Sequence, residues 1–104
     1  MANIQFNYLY RDGANYKQFG FVIFKNISGI SLEDATSKVR SKLISYEFFV
    51  PQDWGLPRLH FHTYDPEIDH DWHEFENWEV TDEAPTNPRD ALTFLNEINK
   101  GPAL

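Results

Sequence analysis

The four histidines of this 104-residue chain fall within fourteen residues, at His60, His62, His70 and His73. Interleaved with them and just beyond are Asp65, Glu67, Asp69, Asp71, Glu74 and Glu76. His60-x-His62 is a pair of strand type, because residues i and i+2 project from one face of an extended chain. Neutral imidazole suits zinc, iron, nickel and copper. A third ligand from His70, His73 or a neighbouring carboxylate would complete a site that keeps one position open for chemistry. The same spacing equally serves polar residues that face water, since Leu59 and Phe61 on the other side of that run look like core. His70-x-x-His73-Glu74 would share one face if helical. It is not the HExxH frame, in which the histidines stand four apart with Glu after the first.

The acids offer a second chemistry. Asp65, Glu67, Asp69, Asp71 and Glu76 place oxygens at positions 1, 3, 5, 7 and 12 of a calcium loop. Position 6 of that loop needs Gly for its turn and holds His70, so the match fails. If extended, Asp65, Glu67, Asp69 and Asp71 line one edge at intervals of roughly 6–7 Å. Such a row repels itself unless cations or a basic surface lie opposite. Nine carboxylates occupy residues 65–83, with no Lys or Arg among them. Trp72 and Trp78 would be the apolar anchors of a docking face there, or members of the core. The binding residues expected are thus Asp65, Glu67, Asp69, Asp71, Trp72, Glu74 and Glu76. The alternative is a divalent, zinc-like metal on His60, His62, His70 and His73; no other cofactor is expected.

The charge balance points the same way. The formal net charge is −7, and residues 59–104 hold eleven of the 16 acids against two of the nine Lys/Arg. An acidic field repels phosphate, which argues against nucleic acid and anionic lipid and for a basic protein partner. There is no cysteine, so disulfides and thiolate chemistry are excluded. The N-terminal residues lack a basic segment followed by an apolar run, so no signal peptide is expected. No stretch reaches 18 apolar residues, so no membrane span is expected either. Both point to the cytoplasm. The serines lack a Gly-x-Ser-x-Gly elbow, and the glycines are isolated, so no phosphate-cradling loop is present. The sequence leaves self-association open.

Elements must position these groups. Ile4, Phe6, Tyr8 and Tyr10 alternate with Gln5, Asn7 and Leu9 and predict a strand with one apolar face. Arg11–Asn15 is turn chemistry. Phe19–Phe24 is apolar on both faces, which predicts a strand central in the sheet and covered on both sides. Ser31, with Asp34 three residues on, predicts a capped helix to about Ser45 along Leu32, Ala35, Val39 and Leu43. Residues 46–50 read as a short aromatic strand stopped by Pro51, 58–63 as a strand, and 74–80 as another. Asn87 is the expected cap of a last helix, with Pro88 at its first position and an apolar stripe of Ala91, Phe94, Leu95 and Ile98.

The pattern predicts one α+β domain over residues 1–104, with 98–104 a loose tail. Its single mixed or antiparallel sheet carries two helices on one face, in the order ββαβββα. Two stretches, Tyr10–Lys17 and Asp71–Glu76, resemble those of a group of short, uncharacterised bacterial proteins with no established activity. The resemblance implies a bacterial cytosolic setting and carries over no catalytic residue. The function expected is a small acidic interaction protein, inhibitor- or immunity-like by size and charge, more binder than enzyme. The alternative is a metal-binding protein or metal-dependent enzyme.

Overall fold

A computed structural model describes residues 2–11, 16–59 and 72–98. It is α+β. One antiparallel sheet holds β1 (Asn3–Arg11), β2 (Lys17–Phe24), β3 (Phe48–Phe49) and β4 (His73–Thr81) in the order β2-β1-β4-β3. Helices α1 (Leu32–Arg40) and α2 (Ala91–Glu97) pack on one face of it. The expected strand over 58–63 lies mostly outside the described residues, and Arg58 and Leu59 are not in a strand.

β1 forms as its alternation dictates. Ile4, Phe6, Tyr8 and Tyr10 are buried, and the first three join Val22, Phe24, Phe75 and Trp78 in one core with Ala35 and Val39 of α1 and Ala91, Phe94 and Leu95 of α2. Phe6 is the centre of this core. Its ring lies 5.1–5.7 Å, centroid to centroid, from Trp78, Phe75, Tyr8, Phe49 and Phe94. Edge-to-face and tilted pairs of this kind add to the area they bury.

The expectation of a central β2 is overturned. β2 is an outer strand, and Phe19 and Phe21 are 63% and 55% exposed. β1 is central instead, between β2 and β4. The physical reason is that both helices lie on one side. A central strand in such a sheet needs apolar residues on one face only, as antiparallel sheets allow.

β4 departs from strict alternation. Its register against β1 shifts between Asn7 and Tyr8, which pair with Asn77 and Phe75, so Glu76 is the extra residue of a bulge. Were Glu76 paired as an ordinary ladder residue, strict alternation would carry Asn77 and Glu79 into the core after Phe75. With the bulge, Trp78 goes there and is buried.

α1 starts as expected, Ser31 Oγ accepting from the Asp34 N–H at 3.1 Å. It ends earlier, at Arg40. Ile44 turns back through Ser45 and Tyr46, both at positive φ (51° and 64°), and pairs with Phe48. The cap of α2 is also corrected. Asp90, not Asn87, is the cap: its carboxylate accepts from the N–H of Leu92 and also from that of Ile27. Asn87 Oδ1 instead accepts from the backbone N–H and the Nε of Arg89. The Arg89 guanidinium lies 5.0 Å from the Phe94 ring centre and donates to the carbonyls of Trp54 and Gly55. Ile98 is buried in the core; residues 99–104 lie outside the described set.

Candidate functional site: the open face of the sheet

The helices cover one face, and among the described residues no helix lies on the other, although Leu9 and Ile23 there are buried. On β1 that second face carries Gln5, Asn7, Leu9 and Arg11. On β2 it carries Phe19, Phe21 and Ile23, which pair with Leu9, Asn7 and Gln5. On β4 it carries Glu74, which pairs with Leu9, and Glu79, which pairs with Gln5. The polar residues are tied together. Gln5 Nε2 donates to Asn7 Oδ1 at 2.8 Å. Asn7 Nδ2 donates to Asn77 Oδ1 at 2.8 Å and to Glu79 Oε1 at 2.7 Å. Asn7 is only 9% exposed, so its amide is a fixed polar floor. A buried amide bonded in this way is held in one orientation.

Around that floor lies a shallow cavity of about 400 Å³, lined by Phe19 and Phe21 on one side and by Glu76 and Glu79 on the other. The bulge has a second consequence here: it sets Glu76 beside the groove, as bulges commonly re-aim side chains at sites. Arg11 Nε meets Glu74 Oε2 at 2.9 Å. Among the described residues no cation pairs with Glu76 or Glu79. The groove therefore joins aromatic faces to unneutralised carboxylates, which is the chemistry that holds an Arg or Lys side chain.

The expected site residues divide unevenly. Asp65, Glu67, Asp69, Asp71, His60, His62 and His70 lie outside the described residues. Glu74 and Glu76 reach the open face. Trp72 is half-buried and packs on Phe48, ring centres 5.3 Å apart. Trp78 is core and cannot anchor a partner. His73 is fully buried, with the ring of Tyr10 5.0 Å away. Its Nε2 lies 2.9 Å from the Leu59 N–H and 3.0 Å from the Leu59 carbonyl. In this geometry His73 fastens the segment before residue 60 to β4. Among the described residues no group of three or more His, Asp or Glu is placed to share a metal, and no helix is long and apolar enough to cross a membrane.

Asn7, Phe19 and Phe21 are candidate-site residues that sequence reasoning missed, whereas Glu79 belongs to the acidic run 65–83 expected to dock. Two strands supply the missed three, and no local spacing marks them. The one available signal was Phe19-Gly20-Phe21, aromatics flanking a glycine. Gly20 faces the core, where a Cβ would stand 2.6 Å from the side chain of Leu59. That leaves both phenylalanines to the opposite face. No protein-family model, curated protein or solved structure compared with the chain matches it.

Proposed function

We propose that this is a small acidic binding protein that presents the open face of its sheet to a basic protein partner, the acids of residues 65–71 adding to its negative charge. The observation that carries this reading is the groove itself. Exposed Phe19 and Phe21 stand across a buried amide floor from Glu76 and Glu79, whose charges no described cation answers. Half-exposed aromatics beside carboxylates are unfavourable surface in isolation and favourable surface under an Arg- or Lys-rich partner. The net charge of −7 would steer such a partner and make association fall steeply with added salt.

The test is affinity capture from a lysate with wild type, with Glu76→Gln/Glu79→Gln, and with Glu67→Gln/Asp69→Asn/Asp71→Asn. It is followed by measuring the on-rate of the captured protein against salt. The expected result is a basic protein held by wild type and lost by a neutralised variant, with an on-rate that drops as salt rises. A partner held equally by all three, or none at low salt, overturns the reading.

A further inference from the structure

Among the described residues, the outer edge of β2 is covered along half its length only. In an antiparallel ladder, residues alternate between those whose N–H and C=O point at the neighbouring strand and those whose groups point away. Ile23 is of the second kind. Its carbonyl accepts from the N–H groups of Thr86 and Asn87, at 2.9 and 3.2 Å, and its N–H donates to Thr86 Oγ1. Two residues on, the Lys25 carbonyl accepts from Ala91. The chain's own segment thus runs beside the second half of β2, parallel to it where Lys25 bridges Asp90. By the same alternation the backbone groups of Phe21 and Phe19 point outward, and among the described residues nothing meets them. Pro85, immediately before Thr86, has no N–H and cannot carry the pairing further.

We infer that this edge takes an extended, basic segment of the partner as a fifth strand, paired with the N–H and C=O groups of Phe19 and Phe21. The inference rests on the proposed function and says how the partner docks. A strand added there places alternate side chains over the open face. Arg or Lys at those positions lies across the Phe19 and Phe21 rings with its charge directed over Asn7 to Glu76 and Glu79. An acidic or purely apolar strand would leave those carboxylates unanswered. A second copy of this chain would bring −7 against −7.

The probe is a capped, alternating Arg/Thr peptide of about six residues, a usual strand length. It is compared with the same peptide N-methylated on the amides that would face β2. Methylation keeps the charge and removes the donors. The full chain is observed by amide hydrogen exchange and by titration at low salt. The expected result is slowed exchange at Phe19 and Phe21, and affinity at least about tenfold weaker for the methylated peptide, the scale of one lost hydrogen bond. Phe21→Pro should weaken the parent peptide by a similar factor relative to Phe21→Thr, which keeps the donor. The Phe21 N–H serves no bond to β1, so proline is tolerable there. Equal binding of both peptides overturns strand addition and leaves charge-driven docking standing. Binding of neither peptide overturns both. Protection of the two amides that rises with protein concentration alone assigns the edge to a second copy and overturns the inference.

Discussion

Phe6 and Asn7 are chain neighbours on the central strand, and they show what separates the two faces of this sheet. Phe6 has no exposed surface and is surrounded by rings from β3, β4 and α2. Asn7 is nearly as buried, yet it spends its side chain on Gln5, Asn77 and Glu79. One face is held by area and shape, which are non-directional. The other is held by directed hydrogen bonds, leaving aromatics and carboxylates turned outward. Stability should therefore concentrate on the first face and recognition on the second.

The sharpest way to break that comparison is Phe6→Ala. Removing a buried aromatic at the centre of a core costs about 3–5 kcal/mol, from lost transfer energy and the cavity left behind. That is a large share of the roughly 5–15 kcal/mol available to a domain. Urea unfolding followed by tryptophan fluorescence measures it. A loss near 1 kcal/mol would mean that the core relaxes around the gap and that this face is less tightly packed than its ring contacts imply.

Tyr8 tests the same face by pH. Burial pushes its phenol up to about 12 from the ordinary 10. Its hydroxyl donates to the carbonyl of Pro57. The folded state therefore holds this proton more tightly than the unfolded chain. The stabilisation is fully present below pH 10 and is lost as pH rises toward 12. Between pH 8 and pH 11 the wild type should lose about 1.4 kcal/mol more than Tyr8→Phe, one unit of differential ionisation. Urea midpoints at the two pH values check it; parallel losses in both proteins would show that the phenol ionises as freely folded as unfolded.

How far the sequence carried these points differs by face. The cap at Ser31 and the alternation of Ile4 to Tyr10 were legible because each depends on residues a few positions apart. The place of β2 was not. A two-faced apolar strand reads as central only if both faces of the sheet are covered, and coverage depends on where helices 10 and 70 residues away settle. The cap of α2 moved from Asn87 to Asp90 because Asp90 also satisfies Ile27, a partner 63 residues away. The bulge at Glu76 left a trace, the three-residue step from Phe75 to Trp78. Of the binding residues expected, Glu74 and Glu76 reached the open face, and Trp72 packs on Phe48. The aromatic wall was hidden, because exposed phenylalanines look like core until the sheet's open side is known.

A third region separates exposure from recognition. Tyr46 is 84% exposed, at the tip of a turn whose two central residues both have positive φ. Left-handed backbone costs a non-glycine residue roughly 1 kcal/mol or more, and Asn-Gly is the pair that such a turn favours. Ser45→Asn/Tyr46→Gly should therefore raise stability by about 1 kcal/mol and leave binding of the Arg/Thr peptide unchanged. Thermal unfolding with peptide titration reads both. Weaker peptide binding would extend the docking surface to this turn and blur the distinction between faces.

The smallest expected effect on stability is the most informative. Phe19→Thr/Phe21→Thr removes the aromatic wall, keeps a residue type suited to strands, and alters no described backbone bond. Both rings are more than half exposed, so little burial is lost, and surface changes of this kind stay within about 0.5 kcal/mol. Phe6→Ala, one strand away, should cost many times more. Binding should reverse the order. The double variant should lose the cation–aromatic part of the peptide's affinity, about 0.5–1 kcal/mol per ring at an exposed site, a weakening of roughly five- to thirtyfold. Its sensitivity to salt should persist, since Glu76 and Glu79 remain. If the variant instead unfolds as readily as a core mutant, the open face is a packed face and cannot be the docking surface. If it keeps its stability and also binds the peptide at full strength, the carboxylates act alone and the rings are incidental.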